Sequence, residues 1–148
     1  MRPKLPFTVH ALLSTACLLL ACTETFEIPN SVPVAQFDSL EGQGDTVDIY
    51  YALFDDNGDD LSIELNFCVN AECSQPTELP GGDGLDNLPT RKHLSTLHLF
   101  RWAPLCDLEN TEAEFSLKIR PYDGTHYGDW DESPPLRLSE LGVSGDCN

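Results

Sequence analysis

Positive charge is scarce in this sequence. Its 148 residues carry 8 lysines and arginines against 25 aspartates and glutamates, a net charge of -17. So acidic a chain is excluded from binding nucleic acid by phosphate neutralisation, which needs a basic patch. Electrostatic attachment to anionic lipid is excluded for the same reason. An unbroken apolar run of about 20 residues is also missing, so no membrane-spanning helix is predicted. The most apolar stretch, Phe7 to Ala21, is interrupted by His10, Ser14 and Thr15. Catalytic signatures are lacking too: there is no nucleophile elbow, phosphate-binding loop or zinc-binding spacing. The carboxylates are so many that no acid/base pair stands out for glycoside chemistry. Histidines number four, and His93 and His98, on opposite faces of any strand they share, cannot chelate together within it. Helical periodicity of useful length and internal repeats are both absent, and no enzyme is expected.

What is present begins at the N-terminus. Arg2 and Lys4 precede the apolar stretch, which ends in Leu19-Leu20-Ala21-Cys22 and gives way at once to polar Thr23 and Glu24. That length and those flanks predict a cleaved secretory signal over residues 1–21. The four residues ending at Cys22 resemble the lipobox of bacterial lipoproteins. The resemblance implies that Cys22 becomes the lipid-modified first residue of an exported, envelope-anchored protein. Each buried acyl methylene contributes about 0.8 kcal/mol, so two or three chains anchor a domain without a spanning segment. Thr23, standing where an Asp would resemble an inner-membrane retention signal, points to the outer membrane. Cleavage removes two of the eight basic residues and no acid, leaving -19, so the acyl chains alone must hold the protein to the membrane.

Residues 22–32 read as a polar, proline-bearing tether, and residues 33–148 as one domain with a modest core. Period-2 alternation dominates that domain. Val47, Ile49, Tyr51 and Leu53 share one face of a strand, as do Leu61, Ile63, Leu65 and Phe67 of the next, and Asp55-Asp56-Asn57-Gly58-Asp59-Asp60 is a turn by composition. A third run spans Leu94 to Trp102, with His98, Phe100 and Trp102 on one face. A fourth sets Phe115, Leu117 and Ile119 against Ser116, Lys118 and Arg120. Weaker strands are expected at Val34–Phe37, near Thr77–Leu79 and at Leu136–Leu141. About seven short strands with turn-rich connections predict an all-β, antiparallel sandwich. Beyond Cys17 and Cys22, four cysteines remain, Cys68, Cys73, Cys106 and Cys147, an even number in an exported chain, where disulfides are expected. Sequence alone leaves three connectivities open.

The stretches Asp48–Asp55, Leu99–Trp102 and Phe115–Gly124 resemble, in order and spacing, the fibronectin type III-like or immunoglobulin-like modules of bacterial surface lipoproteins. The resemblance implies a single Greek-key sandwich, with Phe115 standing where such modules often carry a tyrosine. It carries over no catalytic residue. The same topology implies that the 55–60 turn and the 122–132 loop share a pole, where Asp55, Asn57, Asp59 and Asp123 are candidate Ca²⁺ ligands. Set against that, Gly58 and Asp60 break the EF-hand pattern, and Asp and Gly supply ordinary turn geometry. No cofactor is otherwise expected. His126, Tyr127 and Trp130 form a candidate ligand-binding group for a sugar or peptide. At the opposite pole the topology pairs Cys68 with Cys73 and leaves Cys106 to join Cys147. The leading expectation is a non-enzymatic interaction or structural module with an envelope protein or glycan as partner. The alternative is a calcium- or carbohydrate-binding adhesion domain using the acidic and aromatic loops.

Overall fold

A computed structural model describes residues 29–108 and 110–147. Alternation in the sequence becomes eight strands: β1 Val34–Gln43, β2 Thr46–Phe54, β3 Ser62–Val69, β4 Glu72–Ser74, β5 Thr96–Trp102, β6 Glu114–Tyr122, β7 Asp131–Glu132 and β8 Leu136–Arg137. One turn of helix, α1 Pro104–Asp107, opens on a proline, whose missing N–H is harmless at a helix start. The strands form two antiparallel sheets, one ordered β1-β2-β5 and the other β4-β3-β6-β7, with β8 also pairing with β6. The chain crosses between sheets from β2 to β3, back from β4 to β5, and again from β5 to β6.

Each strand's apolar alternates point between the sheets. From β2 and β5, Ile49, Tyr51, Leu53, Phe100 and Trp102 are fully buried against Leu65, Leu117 and Ile119 of β3 and β6. Trp102 joins the layers: its ring stacks on Phe67 at 5.6 Å and meets Phe115 edge-on at 5.4 Å. Such aromatic pairs contribute about 0.5–1.5 kcal/mol each beyond their buried area. The indole N–H of Trp102 donates to the Asp107 carboxylate at 2.6 Å, and the same carboxylate accepts the N–H and hydroxyl of Thr77, both at 2.7 Å. The short helix therefore places an acceptor under a buried donor that would otherwise be unsatisfied. The Tyr51 hydroxyl lies 3.3 Å from the Gly84 carbonyl. Burial, then the nearby Asp83 and Glu78 carboxylates, push its ionisation well above the usual phenolic range.

Three departures from the expected strands have clear physical causes. β1 runs well past Phe37, because its register slips between Phe37 and Ser39. This bulge at Asp38 moves the inward face from Ala35 and Phe37 to Leu40, so one strand carries two alternations of opposite phase. Near Thr77–Leu79 there is no strand but a single bridge, Glu78 to Trp102, supplemented by Leu79 N–H to Arg101 O at 2.8 Å and Asp83 N–H to Leu99 O at 2.7 Å. This irregular segment covers the free edge of β5. Of the expected last strand, Leu136–Leu141, only Leu136 and Arg137 form β8, and the chain then turns, Leu141 N–H donating to Leu138 O at 3.1 Å. β7 is a separate, unexpected strand, cut off from β8 by Pro134 and Pro135, which cannot donate to a ladder. Ser133 spans the break: its hydroxyl accepts the Leu117 N–H at 2.9 Å and donates to the Pro134 carbonyl at 2.9 Å.

Charge on the outer faces is paired across strands. Arg101–Asp48, Arg120–Glu64, Lys118–Glu132 and Arg137–Glu114 lie 2.9, 2.7, 3.1 and 3.3 Å apart. Exposed pairs of this kind contribute about 0–1 kcal/mol each. Their consequence here is electrostatic: they occupy most of the few cations and leave the other acids uncompensated.

Candidate functional site

The described chain begins at one pole of the sheets and is bonded there at once. Asn30 Nδ2 donates to Asp123 Oδ2 at 2.8 Å, while the N–H and hydroxyl of Ser31 donate to Asn57 Oδ1 at 2.7 and 2.8 Å. Two consecutive residues thus tie together the turn after β2 and the loop after β6, so Asp55, Asn57 and Asp123 share a pole. Asn30 and Ser31, which lie in the expected tether, therefore bond to the domain.

The oxygen atoms at this pole serve mainly as turn acceptors. Asp55 is fully buried, and its Oδ1 accepts the N–H groups of Asn57 and Gly58 at 2.7 and 2.8 Å, while its Oδ2 has no hydrogen-bond partner among the described residues. Asp123 Oδ1 accepts the N–H groups of Thr125 and His126 at 2.6 and 2.5 Å. Burial pushes the Asp123 carboxyl up, but those two N–H groups, the Asn30 amide and His126 outweigh it and hold it below the usual carboxylate range. Asp59 is exposed and gives its main-chain carbonyl to the Thr90 hydroxyl at 2.7 Å. Among the described residues no group of three or more His, Cys, Asp or Glu side chains is placed to hold a metal ion.

Beside this pole the outer face of β6 carries an aromatic ladder. Tyr122 and Arg120 point outward two residues apart on the strand. Tyr127 stacks on Tyr122 at 4.4 Å and also lies against the Arg120 guanidinium, 4.3 Å from its ring centre. The same guanidinium sits 4.5 Å from the centre of the Trp130 ring and bonds to Glu64. His126 faces the other way, toward Asn30 and Asp123 at 3.4 and 3.7 Å. The three residues expected to form one ligand group therefore do different work. His126 belongs to the pole, Tyr127 to the ladder, and Trp130 ends the ladder with one ring face on Arg120. Trp130 also lines a groove of about 380 Å³ between the start of β1 and the segment leading to β7.

No family model, curated protein or solved structure matches this chain. The site is therefore read from its own geometry. Cys68 pairs with Cys73 and Cys106 with Cys147, the first closing the hairpin between β3 and β4, the second tying the C-terminal segment to α1. Both pairings agree with those implied by the topology. The expected lipidation at Cys22 lies outside the described residues. His93 adopts a positive φ of 61° before β5 begins and bonds to Asp56 at 2.9 Å, so it shares no strand with His98. His98 is buried against Tyr51, with Nε2 3.1 Å from the Pro89 carbonyl.

Sequence reasoning gave no site role to Arg120, Val32 or Val34. The signal for Arg120 was available, because it alternates with Tyr122 and faces outward with it. Val32 gave none, since nothing in a proline-bearing tether distinguishes a groove wall from a linker, and Val34 was expected only as the first residue of a strand.

Proposed function

We propose that this protein is a lipid-anchored, non-enzymatic interaction module of a bacterial cell envelope, built on a Greek-key sandwich of the fibronectin type III-like or immunoglobulin-like kind. The observation that carries the reading is the groove at Trp130. It is an open, partly apolar surface beside the point where the chain enters the domain, and large exposed apolar groups gathered around a concavity mark interaction sites. Two disulfides suit an oxidising, exported setting. The strand order, three strands facing five with repeated crossings between sheets, supports the Greek-key assignment. Thr23 favours an outer-membrane address.

In this reading Cys22 carries the acyl chains and the tether is short. From Cys22 to Asn30, which bonds to the pole, the chain reaches roughly 25–30 Å at full extension. The groove then works close to the membrane surface.

The test is expression of the full precursor in a Gram-negative host, with radiolabelled palmitate in the medium. The wild-type protein should take up label and fractionate with membranes. Cys22→Ser should take up none and appear in the soluble fraction. A Cys22→Ser protein that remains membrane-bound would overturn the anchor assignment.

A further inference from the structure

The groove beside Trp130 has a chemical character that narrows its partner. Val32, Val34 and Trp130 are 57%, 43% and 42% exposed and give it apolar walls; Gln36, Asp129 and Asp131 supply its polar atoms. Among the described residues neither Asp129 nor Asp131 has a basic partner. One Asp131 oxygen accepts the Phe37 N–H at 2.8 Å, and the other is not spent on that bond. The ring between these carboxylates already displays what it binds, because Arg120 holds its guanidinium 4.5 Å from the centre of Trp130.

Resting on the interaction-module reading, we propose that this groove binds an arginine side chain carried on a short segment of a partner protein. The guanidinium would stack on the groove-facing side of Trp130, repeating the Arg120 contact, and would bond to Asp129 and Asp131. Trp is the strongest cation–π partner among the aromatic side chains, and a planar guanidinium matches carboxylate geometry better than an ammonium does. Val32 and Val34 would cover the methylene stem and its apolar neighbours. A volume of about 380 Å³ stands near the lower end of the roughly 300–1,000 Å³ of ligand pockets, suited to one side chain and its flanks. Charge selects the occupant: a chain of net charge -17 attracts cationic segments and repels anionic lipid surfaces.

The chain has two tryptophans, Trp102 fully buried and Trp130 on the groove, so the Trp130 indole resonance reports occupancy directly. The probe is the blocked peptide acetyl-Val-Arg-Val-Arg-Val-amide, titrated into purified full-length protein. The comparison peptide carries citrulline, a neutral isostere, in place of arginine. The arginine peptide should shift the Trp130 signal saturably, and the citrulline peptide should bind about tenfold or more weakly, the scale expected for losing a partly desolvated cation–π and carboxylate contact. In isothermal titration calorimetry, which needs no tryptophan signal, Trp130→Ala should abolish binding while retaining the folded circular dichroism spectrum, and Trp130→Phe should restore part of the binding. Asp129→Asn should weaken binding several-fold, roughly the loss of one charge-assisted bond. Glu72→Gln, on remote β4, should change nothing, which separates the groove from the general field.

Equal binding of the two peptides overturns the proposal, as does unchanged binding by both Trp130→Ala and Asp129→Asn. So does a Trp130 shift with phosphatidylcholine vesicles or maltohexaose and none with the arginine peptide. If Trp130→Ala fails to fold, Asp129→Asn and the wild-type resonance still decide. Failure here leaves the lipid anchor standing, and a membrane-bound Cys22→Ser protein would leave this groove standing.

Discussion

The main-chain N–H of Phe37 donates to the Asp131 carboxylate at 2.8 Å, joining the first strand of one sheet to the penultimate strand of the other. The two sheets share no ladder at this edge, so a side chain from β7 takes the place of a neighbouring strand. Asp131→Ala should lower stability by about 2 kcal/mol, the usual cost of losing a hydrogen bond to a charged group. In a domain of this size that is a fall in Tm of roughly 10 °C. Asp131→Asn keeps an acceptor and should cost less. Thermal melts followed by circular dichroism measure both.

Gly128 sits where the first strand meets the loop after β6. A Cβ there would lie 2.2 Å from the Pro33 carbonyl oxygen and 2.7 Å from Pro121 Cγ. Neither neighbour is a flexible side-chain end, so the start of β1 must move. Gly128→Ala should destabilise by about 3 kcal/mol, the upper range for overpacking. It should also alter the Trp130 indole resonance, because the groove wall is built on the same segment. An unchanged denaturation midpoint would refute this account of the position.

The hairpin between β3 and β4 turns on Asn70 and Ala71, with φ of 50° and 70°. Both central residues are left-handed, as in a type I′ turn, where Asn-Gly is the favoured pair. Asn tolerates that conformation, but alanine pays for its Cβ. Ala71→Gly should therefore stabilise the protein by about 1 kcal/mol, read as a higher urea midpoint with an unchanged slope.

The two disulfides should differ in weight. Cys106 and Cys147 are 41 positions apart, Cys68 and Cys73 only 5. In the chain-entropy model their removal costs about 4 and about 2 kcal/mol. Paired Cys→Ser variants, melted in parallel, should rank in that order. Reversal of the order would show that native-state contacts, not loop entropy, dominate.

Asp123 sets an acid limit at the pole. Its carboxyl is held below its usual value of 3.8 in the folded protein, so its stabilising contribution is fully present above that value. The contribution is lost as pH falls below 3.8 toward the folded-state pKa, where protonation removes the acceptor of the Thr125 and His126 N–H groups. Asp123→Asn should flatten this part of the stability profile, measured by urea midpoints between about pH 5 and 2.

Legibility of the fold varied from strand to strand. β2, β3, the second half of the Leu94–Trp102 run and β6 could be read directly, because each holds one unbroken alternation with the buried residues all on one phase. β1 could not, because the bulge at Asp38 inverts the phase in mid-strand and makes the second half look irregular. The end of the chain hid its pairing for another reason: Ser133 supplies through its hydroxyl what Pro134 and Pro135 cannot supply through their backbone. At the pole, the turn residues were recognisable by type. Their joining by Asn30 and Ser31 was not, since it depends on bonds between positions 26 to 93 residues apart.

By itself the sequence determined the all-β class, the inward faces of the long strands and the acidic surface, since these follow from local periodicity and composition. Tertiary structure decided which cysteines meet, because equal parity leaves every pairing open until topology sets distances. It also decided what the aromatic loop can do. His126, Tyr127 and Trp130 are near neighbours along the chain, yet one joins the pole, one is stacked into the ladder, and one lines the groove. That division is set by Arg120 on the preceding strand and by Asn30 and the start of β1, which are remote in sequence, and packing between remote segments leaves no local pattern to read.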